Sequence, residues 1–313
     1  MLEIRELTRT YGAFTALDHL SITIGDGELH GFVGPNGAGK TTTMRILATL
    51  LPPTSGTALI DGEDVRENPR RVRELVGYMP DFFGVYDHLK TWEYLDFYAR
   101  CYGLDRQKRQ RMIEQLLELV NLADRRDVYV DALSRGMKQR LCLAHALIHD
   151  PKLLILDEPA SGMDPRARAE MKGILRTLKD LGKTVLISSH ILPELSEMCD
   201  ALTIIDHGSL VFSGAVEALA SRMQGKAPIT LTLLPADGEK MLQSAVSLLK
   251  QFPGVTGIER GDGLTLSIAY DGDEAGAAEL LRRLLLDGVQ VVDFHRPPMN
   301  LEKVFMEVTR DED

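Results

Sequence analysis

Leu29-His-Gly-Phe-Val33 runs directly into Gly34-Pro-Asn-Gly-Ala-Gly39-Lys40-Thr41, and from there into Thr42–Leu51. The centre of this stretch is the pattern G-x-x-x-x-G-K-[ST]; its flanks read as an apolar strand and a helix, the two neighbours a phosphate-binding loop requires. Glycines let successive backbone N–H groups converge on phosphate oxygens, and the following helix turns its positive end toward them. Lys40 is then placed to bridge the β- and γ-phosphates of a nucleoside triphosphate, and the Thr41 hydroxyl to complete a Mg²⁺ shell. The candidate nucleotide-binding residues are therefore Gly34, Pro35, Asn36, Gly37, Ala38, Gly39, Lys40, Thr41 and Thr42. A chance match arises in roughly one chain in a hundred at ordinary composition, and the strand–loop–helix context makes it rarer still.

Leu153-Leu-Ile-Leu-Asp157-Glu158-Pro159 is the second acidic centre. An apolar strand that delivers adjacent carboxylates at its C-terminal end is a Walker B arrangement: Asp157 is predicted to hold Mg²⁺ through its water shell, and Glu158 to orient and deprotonate the attacking water. No N-K-x-D sequence reads a guanine base, so nothing favours GTP.

Around these motifs, Leu153–Leu156, Val185–Ser188 and Leu202–Ile205 are short apolar strands like Leu29–Val33, β-branched or leucine-rich and without alternation, the pattern of strands buried on both faces of a largely parallel sheet. Thr91–Leu122 is more helical, with Met112-Ile113, Leu116-Leu117 and Leu119-Val120 at near-helical spacing. Near Gly225–Pro228 the composition shifts as in a linker. Beyond it, strand (Ile229–Leu234), helix (Glu239–Gln251), two strands (Val255–Arg260, Leu264–Tyr270), helix (Glu274–Leu286) and strand (Val289–Phe294) give a βαββαβ, ferredoxin-like order. Asn300 is expected to cap a last helix, Leu301–Thr309. The prediction is an α/β nucleotide-binding domain over 1–222, with a helical subdomain at about 85–150, and a small α+β accessory or regulatory domain over 226–313.

The chain has 313 residues and a formal net charge of −10, which makes it a poor generic binder of polyanions. Its three cysteines, Cys101, Cys142 and Cys199, are too few and too scattered for a disulfide framework or a thiolate metal site, and fit a reduced compartment. No stretch approaches the roughly 20 apolar residues of a membrane-spanning helix, and charges in Met1–Leu7 leave no room for a signal-peptide core. The expected location is cytoplasmic; work at a membrane requires another polypeptide. His145 and His149 share a helix face at metal-ligand spacing, but without a third ligand motif they read as structural.

One further segment is family-specific. Leu133-Ser134-Arg135-Gly136-Met137-Lys138-Gln139-Arg140 precedes an apolar helix and resembles the signature of the ABC ATPases, normally L-S-G-G-Q. With the phosphate loop, the Asp157–Glu158 pair, Ser161-Gly-Met-Asp164 as D-loop and His190 after Val185–Ser189, it resembles an ABC nucleotide-binding domain from about residue 1 to 222. That resemblance implies a mixed sheet with a helical subdomain, and a head-to-tail homodimer that closes on two Mg²⁺-ATP. Each nucleotide then touches the phosphate loop of one chain and Ser134, Arg135, Gly136 and Met137 of the other. Ser134 offers a hydroxyl, Gly136 an N–H, and the helix its N-terminal dipole. The resemblance further implies that Tyr11 stacks on adenine, that His190 contacts the γ-phosphate and holds the attacking water, and that Asp164 couples the two sites.

Two departures stand out. Arg135 replaces the first signature glycine and Met137 the glutamine; Arg135 either adds charge near the phosphates or points to solvent. The Q-loop glutamine aligns with Asp81, in Gly77–Tyr86, which is expected to sense Mg²⁺-ATP as a metal ligand and to take part in hydrolysis. Phe82, Phe83, Val85 and Tyr86 either form, if exposed, an interface with a membrane protein or pack inside the helical subdomain. Asp81, Arg135 and the tail Pro298–Phe305 resemble the type-2 exporters, whose ATPase and permease are separate chains. The partners implied are an integral-membrane permease at the inner face of the membrane and a second copy of the chain, with no nucleic acid. The alternative is a non-transport ABC ATPase on ribosomes or nucleic acid. Against it stand the one phosphate loop, the short span from Lys40 to Ser134 and the acidic balance.

Overall fold

The computed structural model describes residues 1–82, 84, 88–219, 228–234 and 238–296. They fall into two compact units, Met1–Val216 and Glu217 onward. The linker expected before Pro228, the aromatic residues Phe83, Val85 and Tyr86, and the tail from Pro297 lie outside the described residues.

In the first unit the short apolar strands form the centre of a six-stranded sheet. Its order is β10-β9-β3-β8-β7-β6, from β3 (Leu29–Val33), β6 (Val76–Met79), β7 (Leu153–Leu156), β8 (Thr184–Ser189), β9 (Ala201–Asp206) and β10 (Ser209–Ala215). All neighbours run parallel except the β9–β10 hairpin. Every residue of β3, β7 and β8 is buried, as the absence of alternation requires.

A second sheet, unread in the sequence, is antiparallel: β1 (Leu2–Tyr11), β2 (Phe14–Ile24), β4 (Ser55–Ile60) and β5 (Glu63–Asp64), in the order β2-β1-β4-β5. Its apolar face (Leu2, Ile4, Leu7, Leu20, Ile22, Ala58 and Ile60) shares one core with Phe32, Ile155 and Leu186 of the parallel sheet. Helix α1 (Lys40–Leu47) adds Met44, Ile46 and Leu47 to that core. It starts at Lys40, two residues before the predicted helix, because Gly39 turns the chain at φ 103. It ends early, where Thr49 takes a left-handed φ of 60 and Pro52-Pro53 forbid continuation.

After the short α2 (Pro69–Leu75), the expected helical stretch divides into α3 (Thr91–Cys101) and α4 (Arg106–Leu119). The break is Gly103, at φ 71, followed by Asp105, whose side chain caps α4 by accepting from Gln107 and Lys108 N–H. Helix α5 (Arg135–Leu147) packs on both helices and on β6. Helix α6 (Pro165–Asp180) follows β7, and α7 (Leu192–Ser196) follows β8.

The second unit keeps the predicted element order: β11 (Ile229–Leu233), α8 (Gly238–Leu249), β12 (Val255–Arg260), β13 (Thr265–Tyr270), α9 (Glu274–Leu286) and β14 (Val291–His295). Its strands lie in the order β12-β13-β11-β14, every pairing antiparallel. Alternation gives one buried face: Ile229, Leu231, Leu233, Leu266, Ile268 and Tyr270 meet Leu242, Ala245 and Leu249 of α8 and Ala277, Leu280 and Leu284 of α9. This unit therefore has a core of its own.

Candidate active site

Parallel strands deliver their C-terminal ends to one edge of the sheet, and the loop after β3 sits there. Gly34 is required by closeness: a Cβ on it would lie 2.5 Å from Ile205 O and 2.9 Å from the Ala38 Cβ. Gly39 is required by both its φ of 103 and the Ala16 carbonyl, 2.6 Å from where a Cβ would be. The β9–β10 turn fastens the loop from outside: Gly208 N–H donates to Ala38 O (3.1 Å), and its carbonyl accepts from Asp18 N–H (3.0 Å).

One cleft is lined by Tyr11, Phe14 and Ala16, by Pro35, Asn36, Gly37, Gly39, Lys40, Thr41 and Thr42, and by Asp81 and Glu158. Lys40 is buried, and its Nζ donates to Gly34 O (2.6 Å) and Pro35 O (3.1 Å), with Glu158 Oε1 3.8 Å away. Burial pulls the Lys40 ammonium below its usual range, against the opposing pull of Glu158 and Asp157. Burial pushes the Glu158 carboxyl up, while His190 and Lys40 draw it down. His190 Nδ1 faces both Glu158 oxygens, at 3.0 and 3.2 Å. The predicted base, lysine and histidine thus form one chain of contacts.

Ser188 connects the two carboxylates in a way the sequence did not disclose. Its Oγ accepts from Glu158 N–H (2.9 Å) and donates to Asp157 Oδ1 (2.8 Å). Glu158 itself sits at φ 49, in the left-handed region. Asp157 Oδ2 is buried and has no hydrogen-bond partner, and an unsatisfied buried acceptor is costly. This open oxygen, with the Thr41 hydroxyl and the Asp81 carboxylate on the cleft wall, is a hard-oxygen donor set that fits a hydrated Mg²⁺. The Asp157 charge, after burial, also helps push the nearby Tyr78 hydroxyl up to about 12.

Tyr11 is half exposed at the cleft rim, the Arg9 guanidinium 4.6 Å from its ring centre. It pairs across the β1–β2 turn with Phe14, a second exposed aromatic on the same wall. Sequence reading missed Phe14. The signal lay in Tyr11-Gly-Ala-Phe14, where a tight turn sets the two rings opposite each other.

The signature residues do not line this cleft. Ser134 caps α5, its Oγ accepting from Met137 N–H (3.3 Å); Arg135, Gly136 and Met137 form the first turn. Asp164 caps α6 by accepting from Ala167 N–H (2.9 Å). Phe82 is 90% exposed, which settles that residue for exposure rather than packing in the helical subdomain. His145 and His149 are structural: His145 stacks on Tyr98, burial pushing it down to about 4, and His149 donates to Val76 O and stacks on Tyr102.

Replacing Tyr11 by alanine is expected to raise the KM for ATP about tenfold with kcat little changed, because stacking on a base contributes about 1–3 kcal/mol. Tyr11→Phe should keep the wild-type KM, since a phenyl ring offers the same face for stacking.

Comparison with known proteins places this geometry. Residues 17–161 match the family model described as ABC transporter. The Nod factor export ATP-binding protein I of Sinorhizobium fredii (strain NBRC 101917 / NGR234) is 36% identical over 308 residues, which cover 98% of this chain and 85% of that protein. The linearmycin resistance ATP-binding protein LnrL of Bacillus subtilis (strain 168) is 30% identical over 309 residues, covering 99% and 98%. A solved ATP-binding subunit of an ABC transporter superposes with a TM-score of 0.65 at 29% identity, over 72% of this chain and 93% of that one. The whole length of the chain, not its phosphate loop alone, is thus shared with such subunits, and it belongs to the ABC transporter family as an ATP-binding and ATP-hydrolysing subunit.

Proposed function

We propose that the chain powers export through a separate integral-membrane permease, by closing as a homodimer on two ATP molecules at the inner face of the membrane. The observation that carries this reading is the cleft itself, where Tyr11, the phosphate loop, Asp81 and Glu158 meet while Ser134 stands elsewhere. A γ-phosphate bound at Lys40 leaves Ser134 and Gly136 free to meet another copy's nucleotide. Export as the direction is supported by the name of the Nod factor export relative, aligned over 98% of this chain.

In this reading the phosphates lie on the backbone N–H groups of Gly37–Thr41 and on Lys40, and adenine lies on Tyr11, with Phe14 alongside. Thr41, Asp157 and Asp81 would hold Mg²⁺, which would neutralise phosphate charge. Glu158 takes the proton of the attacking water, and His190 keeps the carboxylate and that water in line. Asp164 links one site to the other. Domain roles follow: residues 1–222 are the engine, and the unit beyond 226, read as ferredoxin-like, steadies the dimer or tunes its rate.

Among the described residues no helix is long and apolar enough to cross a membrane. The full chain, tagged in its own cells, is therefore expected to sediment with membranes and to co-purify with a polypeptide carrying about six apolar spans of roughly 20 residues each. Recovery with ribosomes or nucleic acid instead, and with no such polypeptide, would overturn the proposal.

A further inference from the structure

We infer that Arg135 is a positioning residue: from the head of α5 it holds the loop Ser161–Asp164 of its own chain, and so the backbone behind Glu158. The inference rests on the active-site reading above and extends it to a position where the family signature normally has glycine.

Gly162 has a φ of 65, and a Cβ built on it would lie 2.6 Å from Arg135 Cζ and 2.7 Å from each terminal nitrogen. Three nearly equal distances mean that the flat face of the guanidinium covers the Gly162 Cα. A Cβ there would push the guanidinium off that face, and no other residue type adopts this backbone as readily. Arg135 makes no hydrogen bond or ion pair among the described residues, so the stacked contact is its one specific engagement there.

One turn along the same helix, buried Gln139 donates from Nε2 to Ser161 O at 3.0 Å. Helix α5 therefore grips two consecutive residues of the loop. The loop is short and tied at both ends: Ser161 N–H donates to Glu158 O (3.0 Å), and Asp164 caps α6. A shift of Gly162 is passed along the chain to Glu158, whose left-handed backbone has little freedom to absorb it. The signature, which meets one nucleotide, is in this way coupled to the base that acts on the other.

The test uses the full-length chain with Mg-ATP, comparing Arg135→Gly, Arg135→Lys, Gly162→Ala and the Arg135→Gly/Gly162→Ala double variant. Amide hydrogen exchange on the nucleotide-free chain is followed in parallel. Arg135→Gly is expected to lower kcat up to about tenfold, with KM unchanged, as small misplacements of a catalytic group do. Exchange should accelerate at residues 161–163 while the interior of α5 stays protected. Arg135→Lys should resemble Arg135→Gly, because an ammonium has no flat face, and the double variant should be no slower than the slower single one. A raised KM with intact kcat, full rescue by lysine, or unchanged exchange would each overturn the inference and return Arg135 to nucleotide contact or to solvent. A wild-type chain without ATPase activity would sink the proposed function alone, since the exchange measurement reads the contact without it.

Discussion

Glu158→Gln is expected to lower ATP turnover by about 10²–10⁴-fold, the usual share of a positioned base, while leaving nucleotide binding intact. The amide keeps the size of the side chain, and one of its atoms can still accept from His190, but it takes no proton. With hydrolysis blocked, Mg-ATP should hold two copies together, so size-exclusion chromatography with scattering should show an ATP-dependent dimer. A variant that turns over at the wild-type rate would remove Glu158 from the chemistry.

The acid limb of the rate profile gives a second readout. Burial is the largest influence on Glu158 and raises its pKa, favouring the protonated form. A base must be a carboxylate to accept a proton. Wild-type kcat should therefore begin to fall on acidification at a higher pH than an exposed glutamate would dictate. In Glu158→Gln the residual rate should lose that limb.

Lys40→Met is the other large effect. Lysine has three donors, and Gly34 O and Pro35 O engage two, leaving the third for phosphate. Methionine keeps the apolar stem, so the packing beside α1 survives, but it strands both carbonyls. It also removes a cation that draws the Glu158 carboxyl down. Charge-assisted contacts of this kind contribute roughly 1.5–3 kcal/mol each. ATP affinity should fall about 10–100-fold by calorimetry, with hydrolysis lost as well, and the two stranded carbonyls should lower the thermal midpoint. Undiminished affinity would mean that the phosphates lie elsewhere.

How much of this was legible in advance depended on whether the signal was local. Strands β3, β7 and β8 announce themselves because burial on both faces leaves few polar residues, His30 in β3 and Thr184, Ser188 and Ser189 at the ends of β8. Strand β1 does not: its register shifts between Ile4 and Leu7, between Leu7 and Arg9, and between Arg9 and Thr10, with Glu6 at φ 47. Each irregularity resets the alternation on which recognition of a strand depends. The same distinction holds in the site. Lys40, Thr41, Asp157 and Glu158 belong to short motifs whose own backbone sets their geometry. Ser188 was silent because its partners, Asp157 and Glu158, arrive from another strand. Arg135 was readable as a departure, but the direction of its side chain depends on Gly162, which only the folded chain brings beneath it.

The left-handed backbone of Glu158 sets stability against activity. That seat is one glycine would fill at no conformational cost, whereas a side chain there forgoes about 1 kcal/mol or more of stability. Glu158→Gly would relieve that seat and forfeit the base at once, so ease of backbone and turnover of fuel pull against each other at this one residue.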